Sequence, residues 1–140
     1  MKKISYSFLA ALFLAQAVFA TYIPPQKLGA AFDGGGSALA TGTKVYYKHM
    51  GAPCTITAWG MTVDTGTATV DVWKKSNTSG IPTIADTITA SATPAISSGT
   101  ETFSTTLTGW TKSVAYRDTL AFDITAVASA TRISLVLQCQ

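Results

Sequence analysis

The residues of this chain that could do chemistry are few and scattered. His49 is the only histidine. A Ser-His-Asp triad would need it as base, with a serine held in a strained strand-to-helix turn, and no G-x-S-x-G stretch occurs. His49-Met50-Gly51 reads instead as a strand end, with the histidine on the solvent side or in a turn. Glycoside hydrolysis needs two facing carboxylates. Asp33, Asp64, Asp71, Asp86, Glu101, Asp118 and Asp123 are the only ones present. Several sit in turn or strand-end contexts, where Asp caps backbone N–H groups, and spacing nominates no pair. Asp33-Gly34-Gly35-Gly36-Ser37 lacks the Lys-Ser/Thr and the helix of a phosphate loop, so it reads as a flexible turn. Two cysteines and one histidine are too few for a zinc finger, and no EF-hand-type acidic cluster exists. The expectation is a protein with no catalytic residues, no metal site and no cofactor.

The aromatic residues and the cysteines offer more. An exposed aromatic ring stacks on sugar rings, and Trp59, Trp73 and Trp110 are the candidates, against the alternative that each fills the core or its rim. Trp59 shares strand parity with Met61 and Val63. Trp73 shares parity with Asp71 and Thr69 rather than with Val70 and Val72, so it is the best placed for an outward face. Trp110 follows a glycine near a strand end. Tyr46, between Lys44 and Lys48, is a further exposed candidate. Trp73, Tyr46 and Trp110 are therefore the expected ligand or interface contacts. Cys54 shares parity with Ile56, and Cys139 with Leu137 and Leu135. They are the only cysteines, so a disulfide has a single pairing within the chain; the alternative is two buried free thiols.

These side chains must be held by strands. The chain has 140 residues, enough for one domain. Hydrophobic residues make up 47% and charged ones 12%, which excludes a disordered polyelectrolyte. Thr is the commonest residue, and Thr, Ser and Gly disfavour a helical bundle. From Val45 onward the pattern is period two. Strands are expected at Lys44–Met50, Cys54–Val63, Thr67–Lys74, Asp86–Ala92, Phe103–Leu107, Thr119–Ala126 and Arg132–Cys139. Leu120, Phe122, Ile124 and Ala126 are expected on one face. Asp64-Thr65-Gly66 reads as a hairpin turn between the second and third of these strands. The whole is an all-β antiparallel sandwich, jelly-roll-like, with 7–8 strands over residues 44–140.

The N-terminal part differs. Residues 1–20 carry Lys2-Lys3, an apolar run from Phe8 to Ala15, and Val18-Phe19-Ala20. That is the pattern of a secretory signal peptide cleaved after Ala20, with a hydrophobic anchor as the competing reading. Without Lys2 and Lys3 the 10 Lys+Arg fall to 8 against 7 Asp+Glu, a net charge of +1. No basic patch argues for nucleic-acid binding. Residues 21–43, with Pro24-Pro25 and Gly34-Gly35-Gly36, read as an extended arm or linker. Leu28 and Phe32 are its expected apolar anchors on a neighbouring chain.

From Asp33 onward an ordered series of segments is similar to a domain common at the C-terminus of bacteriophage virion proteins. They are Asp33-Gly-Gly-Gly36, Cys54-Thr-Ile-Thr-Ala-Trp59, Val70-Asp-Val-Trp-Lys74, Ile81-Pro-Thr-Ile-Ala-Asp-Thr-Ile-Thr89, Leu107-Thr-Gly-Trp-Thr111, Asp118-Thr-Leu-Ala-Phe122 and Thr131-Arg-Ile-Ser-Leu135. The family usually has Gly-Asp where this chain has Arg117-Asp118, so either that turn needs no positive φ or Arg117 accepts one. The resemblance implies a non-enzymatic β-sandwich of a viral particle. The expected function is a phage-type structural or surface-attachment protein, exported or virion-associated, partnered with copies of itself or other virion proteins. The alternative is a secreted carbohydrate-binding or adhesin-like module that recognises host surface glycan.

Overall fold

Where β-branched and aromatic residues alternate with Thr and Ser, the chain is extended, because one face of each strand can be buried. The structure is a computed structural model that describes residues 24–140; the expected signal peptide and its cleavage site lie outside the described residues. The strands are β1 (Gln26–Asp33), β2 (Lys44–Lys48), β3 (Cys54–Val63), β4 (Thr67–Lys75), β5 (Ala95–Ile96), β6 (Glu101–Ser104), β7 (Ser113–Val114), β8 (Thr119–Ala128) and β9 (Arg132–Cys139). They form two antiparallel sheets, ordered β1-β9-β3-β6 and β2-β8-β4-β5, with β7 added to β3. The pairings are nested: β1 with β9, β2 with β8, β3 with β6, β4 with β5. That double Greek-key winding is a jelly roll, the architecture expected from the sequence.

The core lies between the sheets. One sheet contributes Leu28, Phe32, Ile56, Trp59, Met61, Ile133, Leu135 and Leu137; the other contributes Val70, Val72, Leu120, Phe122 and Ile124. Two β-bulges set which residues reach it. One falls between Ile56 and Ala58, so that Cys54 and Ile56 on one side and Trp59, Met61 and Val63 on the other all face inward despite opposite parity. The other falls between Thr69 and Val70 against β8, and it turns the expected inward Ala126 out to solvent.

Of the expected arm, residues Gln26–Asp33 are a strand of the sandwich itself. Eight consecutive residues of β1 pair with β9, from Gln26↔Cys139 to Asp33↔Arg132. Leu28 and Phe32 are buried in the chain's own core, at 1% and 3% exposure, and anchor no neighbour. The loop after β1 is tied down as well: Gly34 and Leu39 donate backbone bonds to Thr131 and Ala130. The expected strand Asp86–Ala92 is also absent. A 3-10 turn at Ile84–Asp86 stands there, closed by a capping box between Thr83 and Asp86, and only Thr87 makes an isolated bridge to Trp73. Arg117 has φ 68°, so the turn does need a left-handed residue and an arginine supplies it.

Asp64-Thr65-Gly66 does not close a hairpin, because β3 and β4 belong to different sheets. It carries the chain across the sandwich, and Asp64 latches that crossing to the neighbouring one. Its Oδ1 accepts from the backbone N–H groups of Thr65 (2.9 Å), Thr131 (3.0 Å) and Arg132 (3.1 Å), and its Oδ2 from the Thr131 hydroxyl. Gly66, at φ 73°, brings its backbone so close to Ala128 that a Cβ there would lie 1.8 Å from the carbonyl oxygen. The Thr131 hydroxyl first, and then the Arg132 N–H, hold the Asp64 carboxyl at about 2, well below the usual carboxylate range. A lowered folded-state pKa adds stability above the unfolded value near 4, and this is lost as the pH falls through about 2. Melting temperature should therefore drop between pH 4 and pH 2, and an Asp64→Asn variant should show a flatter profile over that window. Identical acid profiles for the two proteins would refute the latch.

Cys54 and Cys139 form a disulfide, with Cα atoms 5.5 Å apart, as their parity and sole pairing suggested. It ties the start of β3 to the end of β9. Such bonds form and persist in oxidising compartments.

Candidate functional site: an open groove on one sheet face

Each sheet has an outer face, and the two are built differently. The face of the β2-β8-β4-β5 sheet carries Tyr46 and Trp73 in one cross-strand row, Tyr46–Ala121–Trp73. Trp73 does point away from the core, as its parity suggested, yet it is only 5% exposed and offers no platform to a ligand. Asp71 and the segment after the 3-10 turn hold it down. The Asp71 carboxylate accepts from Trp73 Nε1 (2.7 Å), Thr87 Oγ1 (2.8 Å), the Val72 N–H (2.8 Å) and Thr89 Oγ1. The Lys44 ammonium lies 5.3 Å from the Trp73 ring centre and 3.0 Å from Asp123, which faces Asp71 across β4 and β8. Two like charges directly opposite are thereby offset, one by a cation and one by four donors. Asp71→Ala strands the indole N–H and the buried Thr89 hydroxyl. It should cost about 2–3 kcal/mol and red-shift the tryptophan emission, read by urea unfolding with fluorescence. Native stability in that variant would mean the network is ornamental.

Trp110 is also enclosed rather than available. It packs on the core, and its Nε1 donates to the Ala92 carbonyl at 3.0 Å. Trp59 belongs to the core as well. Tyr46 alone of the expected contacts is open, at 51%. His49, expected on the solvent side or in a turn, is instead 1% exposed, with Nε2 2.9 Å from the Ala52 carbonyl. A bond to a carbonyl requires that nitrogen to carry the proton, so the ring is a buried structural tie. Among the described residues no three His, Cys, Asp or Glu side chains gather as a metal site.

The outer face of the β1-β9-β3-β6 sheet has a different shape. Register aligns one row across all four strands: Gly29 opposite Val136, Val136 opposite Gly60, and Gly60 opposite Phe103. Gly60 has no side chain, so a trough lies between Val136 and Phe103. The row on one side is Lys27–Gln138–Ala58, and on the other Ala31–Ser134–Thr62–Glu101. The main hollow encloses about 630 Å³ and is lined by Lys27, Gly60, Thr62, Glu101, Phe103 and Val136 among others. A second hollow continues it past Ala58 and Gln138 to Pro25. Volumes of this size are ordinary for small-ligand sites.

The two glycines have different reasons. A Cβ on Gly29 would lie 2.6 Å from the Leu135 carbonyl oxygen, so the packing of β1 on β9 requires glycine. A Cβ on Gly60 would meet nothing nearer than 3.8 Å. The fold could take a side chain there, and a strand interior is weakened by glycine. Phe103, 66% exposed, leans over this bare backbone. Cross-strand cover of a glycine by an aromatic ring recovers part of that weakness, but most of the ring stays open to solvent. Neither Phe103 nor Gly60 stood out in the sequence as a contact. The available signal was an isolated glycine inside a strong strand pattern, which marks close approach of something else.

No family model, curated protein or solved structure matches the chain.

Proposed function

We propose that this chain is a non-enzymatic, exported jelly-roll subunit of a phage-type particle, serving in structure or surface attachment. The observation that carries the reading, by analogy of fold, is the nested strand order, an architecture found in viral capsid and lectin domains. The disulfide supports a protein that works after export. The ordered segments from Asp33 to Leu135 support the virion context. Several large apolar side chains remain open: Met50, Tyr116, Ile81 and Ile84 besides Tyr46 and Phe103. A domain with few charges covers such residues by symmetric association or by contact with other virion proteins.

The test is physical recovery. Particles from the producing culture are purified on a density gradient, treated with nuclease and analysed by mass spectrometry. Peptides of this chain should band with the particles in a fixed stoichiometry. Recovery only from particle-free culture fluid would remove the virion reading. It would leave the second one, a secreted glycan-binding module, which the open Phe103 groove favours.

A further inference from the structure

We infer that the groove over Gly60 is a binding site for a neutral oligosaccharide, with Phe103 as its stacking platform; this rests on the attachment reading above and names what is attached to. The groove combines an apolar floor with a polar rim. The floor is Gly60 and Ala58, with Phe103 and Val136 as walls. The rim is Lys27 and Gln138 at one end and Thr62, Ser134 and Glu101 at the other. A pyranose has the complementary form: C–H groups on its faces and hydroxyls around its edge. A ring face stacked on an aromatic side chain leaves its hydroxyls directed at the neighbouring rows, which supply ammonium and amide donors, hydroxyls, and a carboxylate acceptor.

Charge selects among ligand classes. Lys27 and Glu101 are in no ion pair among the described residues. They stand at opposite ends of the groove, so the site carries one positive and one negative group and no net charge. An anionic backbone such as a nucleic acid would meet Glu101 unscreened, and a polycation would meet Lys27. A neutral polyhydroxylated ligand satisfies both.

Gly60 supplies the separate argument that the space is meant to be filled. Its Cβ position is vacant although packing does not require it, and the side chains on either side of it in the row are the two that wall the groove. A β-branched residue at this position would suit the strand better and would close the trough. Gly60→Val therefore separates fold from site. It should keep or raise the melting temperature while removing the ligand.

The full-length protein, purified as the producing cells release it, is applied to an array of neutral and acidic oligosaccharides, and the strongest arrayed binder is then titrated calorimetrically. Retention of a neutral oligosaccharide is expected. Phe103→Ala and Gly60→Val should each weaken it at least about tenfold, and Glu101→Gln should weaken it less. Tyr46→Ala, on the other sheet, should leave it unchanged. No retained saccharide, retention of acidic glycans alone, or affinity indifferent to both groove variants would overturn the assignment. So would a Gly60→Val protein whose oligomeric state on light scattering changes, because the groove would then be an interface between copies. The two readings fail separately. A chain that bands with particles but holds no saccharide loses the groove assignment only. A chain absent from particles that still binds sugar through Phe103 loses the virion reading only.

Discussion

Replacing Cys54 and Cys139 together by alanine is expected to remove about 4 kcal/mol of stability and about 15 °C of melting temperature. The cysteines are 85 residues apart in sequence, so the bond spans most of the folded chain and restricts the unfolded state strongly. In the chain-entropy account that separation is worth about 4–5 kcal/mol. Both cysteines lie inside the core, so the alanines also leave unfilled space beside Ile56 and Leu137. Differential scanning calorimetry under oxidising conditions reads the effect. The wild-type protein, denatured without reductant, should show no titratable thiol. An unshifted melting transition in the double variant would mean that β3 and β9 hold each other fully without the bond.

Deleting Gln26–Asp33 is expected to abolish the fold, an effect larger than that of any single substitution. β1 is an edge strand, but it covers one whole side of β9 and supplies Leu28, Ala30 and Phe32 to the core. Without it β9 exposes an eight-residue row of unpaired N–H and C=O groups beside an uncovered apolar face, which is a template for aggregation. Phe32→Ala is the graded form of the same experiment and should cost about 3–5 kcal/mol. Circular dichroism and size-exclusion chromatography of the deleted protein distinguish the outcomes. A soluble, folded monomer with the parent's melting temperature would restore these residues to the status of an arm.

How far the sequence carries depends on what decides each feature. Arg132–Cys139 is legible to the residue because its period is clean, and Cys54–Val63 has the expected bounds although a bulge breaks its period. β1 has the same period in Leu28, Ala30 and Phe32, but alanine and glycine between two prolines and three glycines give weak strand propensity, so it reads as linker. Its strand character comes from β9, which lies next to it only after folding. Parity misleads where bulges intervene. Cys54 and Trp59 have opposite parity and both face inward, and Ala126 shares parity with Ile124 and faces out. Asp64-Thr65-Gly66 has hairpin chemistry, yet turn residues do not specify whether the next strand joins the same sheet. The disulfide was legible because two cysteines allow one pairing.

The candidate site was not legible for a related reason. Trp73 faces outward as its neighbours imply, but the segment that covers it has no period to announce it. The groove depends on Val136, Gly60 and Phe103 lying in one row. That is a fact of register between strands far apart in sequence, and no local pattern encodes it.

The nesting of the strands also sets the order in which the molecule can form. β1 leaves the ribosome first among the strands and has one partner, β9, which is made last of the nine. β3 also waits for β9 along most of its length. The first sheet therefore cannot close over the second until synthesis has passed Cys139, and few local contacts are available to hold a partial product. Folding of such a chain is slow and nearly all-or-none, and during the wait the edges of β1 and β3 are unpaired. A nascent chain in that state stays open to translocation. It also presents edges that β9 of a second copy can pair with, so crowding of unfinished chains favours exchange.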